Sequence, residues 1–275
     1  MIIIMGVTLQ EDGIGTRWSR SESDAGVCLV RYDHPPVNSL DAESHRQLSD
    51  LVRELEADGA VRVVVFTSAN EKIFMAGADL RQLRPVLHER AVIAERVDRA
   101  NAAFLRLQRL SKPTIGVIDG HALGGGFEFA LALDFRFMAR GSARVGLPEA
   151  GLGLIPGAGG TQRLSRIVGR ARAADLMMLG RRIDADEAAA IGLATPCDDV
   201  LGDALAYAQR LSGMPVAPLR AIKACLNDGY DGDLTRGLAV EREAAMQAFT
   251  SPEAAEGVAA FLDKRDPDYH HDRSA

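Results

Sequence analysis

Apolar residues recur along this chain in two rhythms. Val61-Arg-Val-Val-Val-Phe-Thr67 is a short, nearly continuous hydrophobic run, the pattern of a strand covered on both faces in a parallel sheet flanked by helices. Thr114-Ile-Gly-Val-Ile118, entered through Lys112-Pro113, reads as another strand and leads through a glycine turn into a helix. Around these strands the spacing turns helical. Asp41 is placed to cap a helix whose Leu48, Leu51, Val52 and Leu55 share one face and which Gly59 ends; a further helical segment spans residues 91–110. Nearer the N-terminus, the stretch from Gly15 to Arg20 and the run Val27-Cys-Leu-Val-Arg-Tyr32 read as a hairpin turning at Ser23-Asp-Ala-Gly26. The wiring is β-α-β, and the predicted fold class is α/β.

From about residue 199 the strand pattern stops. Helical segments follow one another at 199–212, 216–227, 233–249 and 252–263, and Ser251-Pro252-Glu253 opens the last with an N-cap, a proline at the first helical position and an acid in the first turn. The predicted division is therefore an α/β core over residues 1–198 and an all-helical region over residues 199–275. Leu234, Leu238 and Val240 give that region an apolar face, which must be buried against the main domain or another subunit.

Composition narrows the function. With 275 residues, 47% hydrophobic and 25% charged, the chain can bury a large core, which excludes collagen, coiled coil and wholesale disorder. Acidic residues outnumber basic ones, 38 to 32, and a net charge of −6 supplies no general positive field to hold a phosphate backbone. Nucleic acid is thus not the expected partner. The first apolar run, Met1 to Met5, has no basic leader and is too short to span a membrane, so the chain reads as soluble, unprocessed and cytoplasmic, with no membrane partner. Cys28, Cys197 and Cys225 are odd in number and form no C-x-x-C pair, which fits a reducing compartment. No metal site is expected: the six histidines show no ligand spacing, and His270-His271 fall in a polar tail.

The chemistry concentrates in two glycine-rich segments, Asp119-Gly-His-Ala-Leu-Gly-Gly-Gly-Phe-Glu128 and Gly146-Leu-Pro-Glu149-Ala-Gly-Leu-Gly-Leu-Ile-Pro-Gly-Ala-Gly-Gly-Thr161. Neither carries a dinucleotide fingerprint, a Walker A sequence or a G-x-S-x-G elbow. A glycine turn can serve tight packing alone. At Gly124-Gly125-Gly126, where it opens a helix, it also turns backbone N–H groups toward a ligand and favours a developing anion. Glu128, among Phe127, Phe129, Ala130 and Leu131, either complements the helix dipole or works as a desolvated carboxylate with a perturbed pKa. Glu149 is a second acid in apolar surroundings. Together they suggest general acid/base work on a substrate whose intermediate is an oxyanion, with Met75-Ala-Gly-Ala-Asp79 offering a second backbone donor.

Ala76-Gly-Ala-Asp79, His121-Ala-Leu-Gly-Gly-Gly-Phe-Glu128 and Pro148-Glu149, with Leu154-Ile-Pro-Gly-Ala-Gly-Gly-Thr-Gln-Arg-Leu164, occur in an order that resembles the crotonase superfamily, most closely enoyl-CoA hydratase. The resemblance runs from Asn38-Ser-Leu40 to Phe261-Leu-Asp-Lys-Arg265. It implies a crotonase-like β/α spiral core with a C-terminal all-helical trimerisation region, assembled as homotrimers or dimers of trimers. The implied substrate is an acyl-CoA thioester, and no cofactor is implied because coenzyme A is part of that substrate. The backbone N–H groups of Ala78 and Gly125 would form the oxyanion hole, and Glu128 and Glu149 would be the catalytic pair. Ala76, Asp79, Leu80 and Gly157 would line the substrate, while Phe261 and Lys264 would reach coenzyme A from a neighbouring subunit.

The resemblance implies hydration of a trans-2-enoyl-CoA. Double-bond isomerisation between the 3- and 2-enoyl forms is the nearest rival, because one glutamate suffices for it. A weakly catalytic acyl-CoA- or RNA-binding scaffold is a reading of a different class, opposed by the acidic balance and by the presence of both acids.

Overall fold

In a computed structural model of the protein, residues 3–4, 7–8, 16–22, 25–230 and 232–269 are described. Gly15, Ser23 and Asp24 of the expected hairpin, Met1, Ile2 and Met5 of the first apolar run, and His270 and His271 lie outside them. The main sheet has six strands in the order Thr195–Cys197, Phe135–Ala139, Thr114–Ile118, Val63–Ser68, Val27–Tyr32 and Trp18–Glu22. Neighbours are parallel except the last two, which form the antiparallel edge, with Trp18 opposite Tyr32 and Glu22 opposite Cys28.

Side chains alternate across this sheet. Cys28, Val30 and Phe66 point into one hydrophobic core, and Val27, Leu29, Val63 and Val65 point into another. The first core is closed by the helix Ala42–Ala57, through Leu48, Leu51, Val52 and Leu55, and by the helix Arg90–Gln108, through Ala103, Phe104 and Leu107. The second is closed by Val200, Ala204, Leu205 and Ala208 of the helix Val200–Ser212. The first helix of the C-terminal helical stretch is therefore one wall of the core.

Three of the main-sheet strands are each followed by a short strand in a second, four-stranded sheet. Its order is Arg182–Ile183, Val145–Gly146, His121–Leu123 and Ile73–Met75. His121–Leu123 pairs in parallel with both its neighbours, while the remaining pairing, between Val145–Gly146 and Arg182–Ile183, is antiparallel. Repeating a long strand, a short strand and a helix winds the chain into the expected β/α spiral. Strands of two or three residues carry too few positions to show a period, which is why the second sheet was not visible in the apolar pattern.

Local chemistry sets the element ends. Asp41 accepts the Ser44 N–H at 2.9 Å and caps the first helix as expected. The helix ends at Ala57, earlier than Gly59, where the buried Lys112 ammonium donates to the carbonyls of Leu55 and Asp58 and satisfies its C-terminal end. In the C-terminal region Val216–Ala224 continues into a π-helical turn, Cys225–Gly229, followed by Leu234–Phe249 and Pro252–Asp263. Leu234 and Leu238 are exposed, so their apolar face is not covered by this chain's own core.

One buried ion pair ties that region down. Lys223 Nζ donates to Asp134 Oδ2 at 2.6 Å and to the Lys112 carbonyl at 2.8 Å, and the same Asp134 oxygen accepts the Thr114 N–H at 2.7 Å. Replacing Lys223 with Ala leaves the Asp134 carboxylate without its ammonium partner and the Lys112 carbonyl without its donor, and should lower the unfolding free energy by about 2–3 kcal/mol. Urea denaturation checks this; an unchanged midpoint would mean that the pair contributes nothing net.

Candidate active site

The helix Gly125–Leu131 begins two residues after the short strand His121–Leu123 and is anchored by Phe129. That ring sits among Trp18, Phe66, Phe74 and Phe104, with centroids 5.4–6.1 Å away. The preceding residue, Glu128, is held by the same packing and is only 3% exposed. Its Oε1 accepts backbone N–H groups from Ala158 at 2.7 Å and Gly160 at 2.8 Å. Desolvation raises the Glu128 pKa, and the two amides and the nearby Arg163 guanidinium offset only part of that rise.

Glu149 lies on a 3₁₀ turn, Pro148–Leu152, that follows the short strand Val145–Gly146. Its carboxyl is pushed up to about 7, chiefly by desolvation and further by the Glu128 charge. Its Oε2 is buried and makes no hydrogen bond with the described residues. Two carboxyls of different protonation tendency thus face one space, one gripped by amides and the other half-free.

Opposite them the chain brings two backbone segments into contact. Asn38 is buried, donates to Ser68 Oγ at 2.8 Å and accepts the His34 N–H at 2.7 Å, while its carbonyl accepts the Ala76 N–H at 3.3 Å. This seats Gly77–Ala78 beside Ser39–Leu40 as a two-stranded parallel pair. Gly77 has φ +88°, and a side chain there would come within 2.7 Å of the Leu123 carbonyl and 2.9 Å of the Gly125 nitrogen. Only glycine allows that approach. A Cβ placed on Gly125 would in turn lie 3.6 Å from the Ala78 nitrogen, so the two amides are near neighbours.

One cavity of about 780 Å³ is lined by Ala76, Ala78, Asp79, Leu80, Gly125, Glu128, Glu149 and Gly157. Eight of the ten residues singled out from the sequence are thereby brought together. Phe261 and Lys264 are not. They sit on the exposed C-terminal helix and just past its end, away from this chain's cavity. The wall supplied by the helix Arg90–Gln108 is mostly apolar, through Ile93, Val97, Ala100 and Phe104. Sequence reasoning missed His45, which lines the cavity against the Phe104 ring and whose pKa burial lowers to about 4, leaving it neutral near pH 7. It also missed Asn101, whose Nδ2 donates to the Gly157 carbonyl at 2.9 Å. Neither stands in a motif.

Residues 22–272 match the family model described as enoyl-CoA hydratase/isomerase. The chain belongs to that family. Among its relatives in this family are the mitochondrial methylglutaconyl-CoA hydratase of Rattus norvegicus, 40% identical over 94% of this chain and 84% of the relative. The short-chain-enoyl-CoA hydratase of Clostridium acetobutylicum is 37% identical over 89% of this chain and 94% of its own length. The fold agrees with a crystal structure of the enoyl-CoA hydratase from Geobacillus kaustophilus, with a TM-score of 0.89 at 31% identity, covering 94% of this chain and 98% of that one. The crotonase-like reading of the sequence is therefore borne out for fold and family.

In this hydratase/isomerase fold the raised pKa of Glu149 has a stability consequence. A carboxyl whose folded pKa lies above its unfolded value favours the folded state fully below the ordinary value of 4.5, and that contribution is lost as pH rises through about 7. Above that point the folded chain must hold a poorly solvated anion. Glu149→Gln removes the anion, so its thermal midpoint should climb relative to that of the parent between pH 5 and pH 8. A midpoint difference that stays constant over that range would refute the raised pKa.

Proposed function

We propose that the protein is an enoyl-CoA hydratase that adds water across the 2,3 double bond of a trans-2-enoyl-CoA thioester to give the 3-hydroxyacyl-CoA. The observation that carries this reading is the convergence of two glutamates on a cavity that also presents two adjacent backbone amides. Named hydratases among the relatives support a coenzyme A thioester as the substrate.

The amides of Ala78 and Gly125 receive the thioester carbonyl oxygen and stabilise the charge that develops on it. Ionised Glu128 takes a proton from water as the water oxygen bonds to C3. The π electrons move toward the carbonyl and give an enolate. Protonated Glu149 then delivers its proton to C2, and the thioester carbonyl re-forms. The different surroundings of the acids suit this division: Glu128 has donors that stabilise its anion, whereas Glu149 is half-protonated near neutrality. Gly157 helps shape the water site, with Ala76, Asp79 and Leu80 beside the thioester. The reaction is redox-neutral and consumes only water, so the mechanism calls for no metal or separate cofactor. Isomerisation would use a single acid, and a second one pressed against the same cavity favours hydration.

The assembly proposed is a trimer or a dimer of trimers. Leu234, Phe249 and Phe261 are 78%, 79% and 83% exposed, a large apolar surface for a chain meant to stand alone in water. Phe261 and Lys264 would reach the coenzyme of the adjacent subunit, Lys264 pairing with phosphate. A cytoplasmic setting accords with cysteines that are thiols rather than disulfides at Cys28, Cys197 and Cys225.

Glu128→Gln and Glu149→Gln should each lower kcat on a 2-enoyl-CoA by about 10²- to 10⁴-fold with little change in thioester binding. A single mutant that hydrates at the parental rate would remove its residue from the mechanism. Isomerisation is checked on a 3-enoyl-CoA, where near-normal turnover by Glu128→Gln would favour the rival. Sedimentation should find trimers or hexamers at micromolar concentration, and removing residues 251–275 should weaken both assembly and coenzyme A binding. A monomer, or a truncated protein with full substrate affinity, would contradict the role given to the helical region.

A further inference from the structure

The loop that grips Glu128 is itself held from behind. Residues 157–160 donate two N–H groups to the carboxylate on one side and present two carbonyls on the other. Asn101 Nδ2 takes the Gly157 carbonyl at 2.9 Å, and Arg163 Nη1 takes the Ala158 carbonyl at 2.8 Å. The guanidinium reaches this position because Gly159 has no side chain: a Cβ there, at φ +96°, would lie 2.1 Å from Arg163 Nη1.

Arg163 is held in turn. Its Nε donates to Gln108 Oε1 at 2.9 Å, Gln108 Nε2 donates to Asn227 Oδ1 at 3.1 Å, and Asn227 Nδ2 donates back to the Gln108 carbonyl at 2.9 Å. Asn227 belongs to the π-helical turn Cys225–Gly229 of the C-terminal region. A chain of hydrogen bonds therefore runs from that turn, across the end of the helix Arg90–Gln108, to the Ala158 carbonyl, whose peptide unit lies between the two that donate to Glu128.

We propose that Arg163 is a positioning residue, which holds the Ala158 and Gly160 amides on Glu128 and is itself oriented by Gln108 and Asn227. The proposal rests on the reading of Glu128 as the base that activates water. Arg163 has no carboxylate within 4 Å among the described residues, and Glu128 is the acid whose charge it feels, so it also favours the ionised base. The cavity is also lined by Glu149, whose ionisation the Glu128 charge opposes, by His45, which stays neutral across the working range, and by the charged side chains of Asp41, Asp79, Arg96, Arg99 and Arg182. Loss of the guanidinium should thus act twice, by releasing the loop and by moving the base's titration to higher pH.

The test uses the full chain with Arg163→Gln, Arg163→Lys and Gln108→Leu, assayed for kcat and KM on crotonyl-CoA from pH 5 to 9. In parallel, the Glu128 carboxyl is titrated by carbon NMR on glutamate-labelled protein, its signal assigned with Glu128→Gln. Arg163→Gln should lower kcat about 10- to 100-fold with KM within about twofold, the scale of a displaced reactive group. Its acidic limb and the Glu128 titration should both move to higher pH. Arg163→Lys keeps the charge but cannot bond Ala158 and Gln108 together, so kcat falls while the titration stays near that of the parent. Gln108→Leu should lose several-fold in kcat with the titration unmoved. Should Arg163→Gln fail to fold, unchanged kcat in both other variants overturns the proposal. So does an unmoved Glu128 titration in a folded Arg163→Gln. If the parent hydrates no enoyl-CoA, the proposed function fails, while the titration still reports on Arg163.

Discussion

Burying an ionised carboxylate costs several kcal/mol unless donors replace the lost water, and the architecture of this protein is organised around meeting that requirement at Glu128. Phe129, packed among four aromatic rings, fixes the short helix that carries the acid, and the amides of Ala158 and Gly160 converge on one of its oxygens. The result is a group that desolvation pushes toward neutrality and hydrogen bonding pulls toward the anion. A carboxylate held in this way differs from Glu149, which has burial and the charge of Glu128 against it and an Oε2 without a partner among the described residues. The same apolar cavity gives two identical side chains different protonation tendencies because their donor sets differ.

The spiral is what brings these pieces together. Successive short strands, Ile73–Met75, His121–Leu123 and Val145–Gly146, lie side by side in the second sheet. Each delivers its following segment to the same edge: Gly77–Ala78, then Gly125 and Glu128, then Glu149. Residues more than 70 positions apart thus share one cavity, and close backbone contact at Gly77 sets how near the two amides lie.

Burial also links the helical C-terminal region to this site. Val200–Ser212 closes the second core, Lys223 reaches Asp134 at the start of a central strand, and Asn227 holds Gln108. The apolar faces further along, at Leu234, Phe249 and Phe261, remain uncovered by the chain itself. Stability and the placement of Glu128 therefore share supports with the helical region that carries these exposed apolar faces.

The sequence by itself determined the α/β class, the long strands, the helix capped by Asp41 and the two glycine-flanked glutamates, because each is written in local spacing or in local chemistry. Its ordered motifs also determined the family. It could not place Asn101, His45 or the supports of Arg163: a polar residue on a helix looks the same whether it faces water or a loop carbonyl. Nor could strands of two or three residues announce a second sheet. Tertiary structure alone decided which acid is gripped by amides and which keeps an unpartnered oxygen, since that difference arises from donors 30 and 32 residues beyond Glu128. Hydrogen-bond partners so distant in sequence are chosen by how the spiral packs, and a pKa follows its partners rather than its residue type.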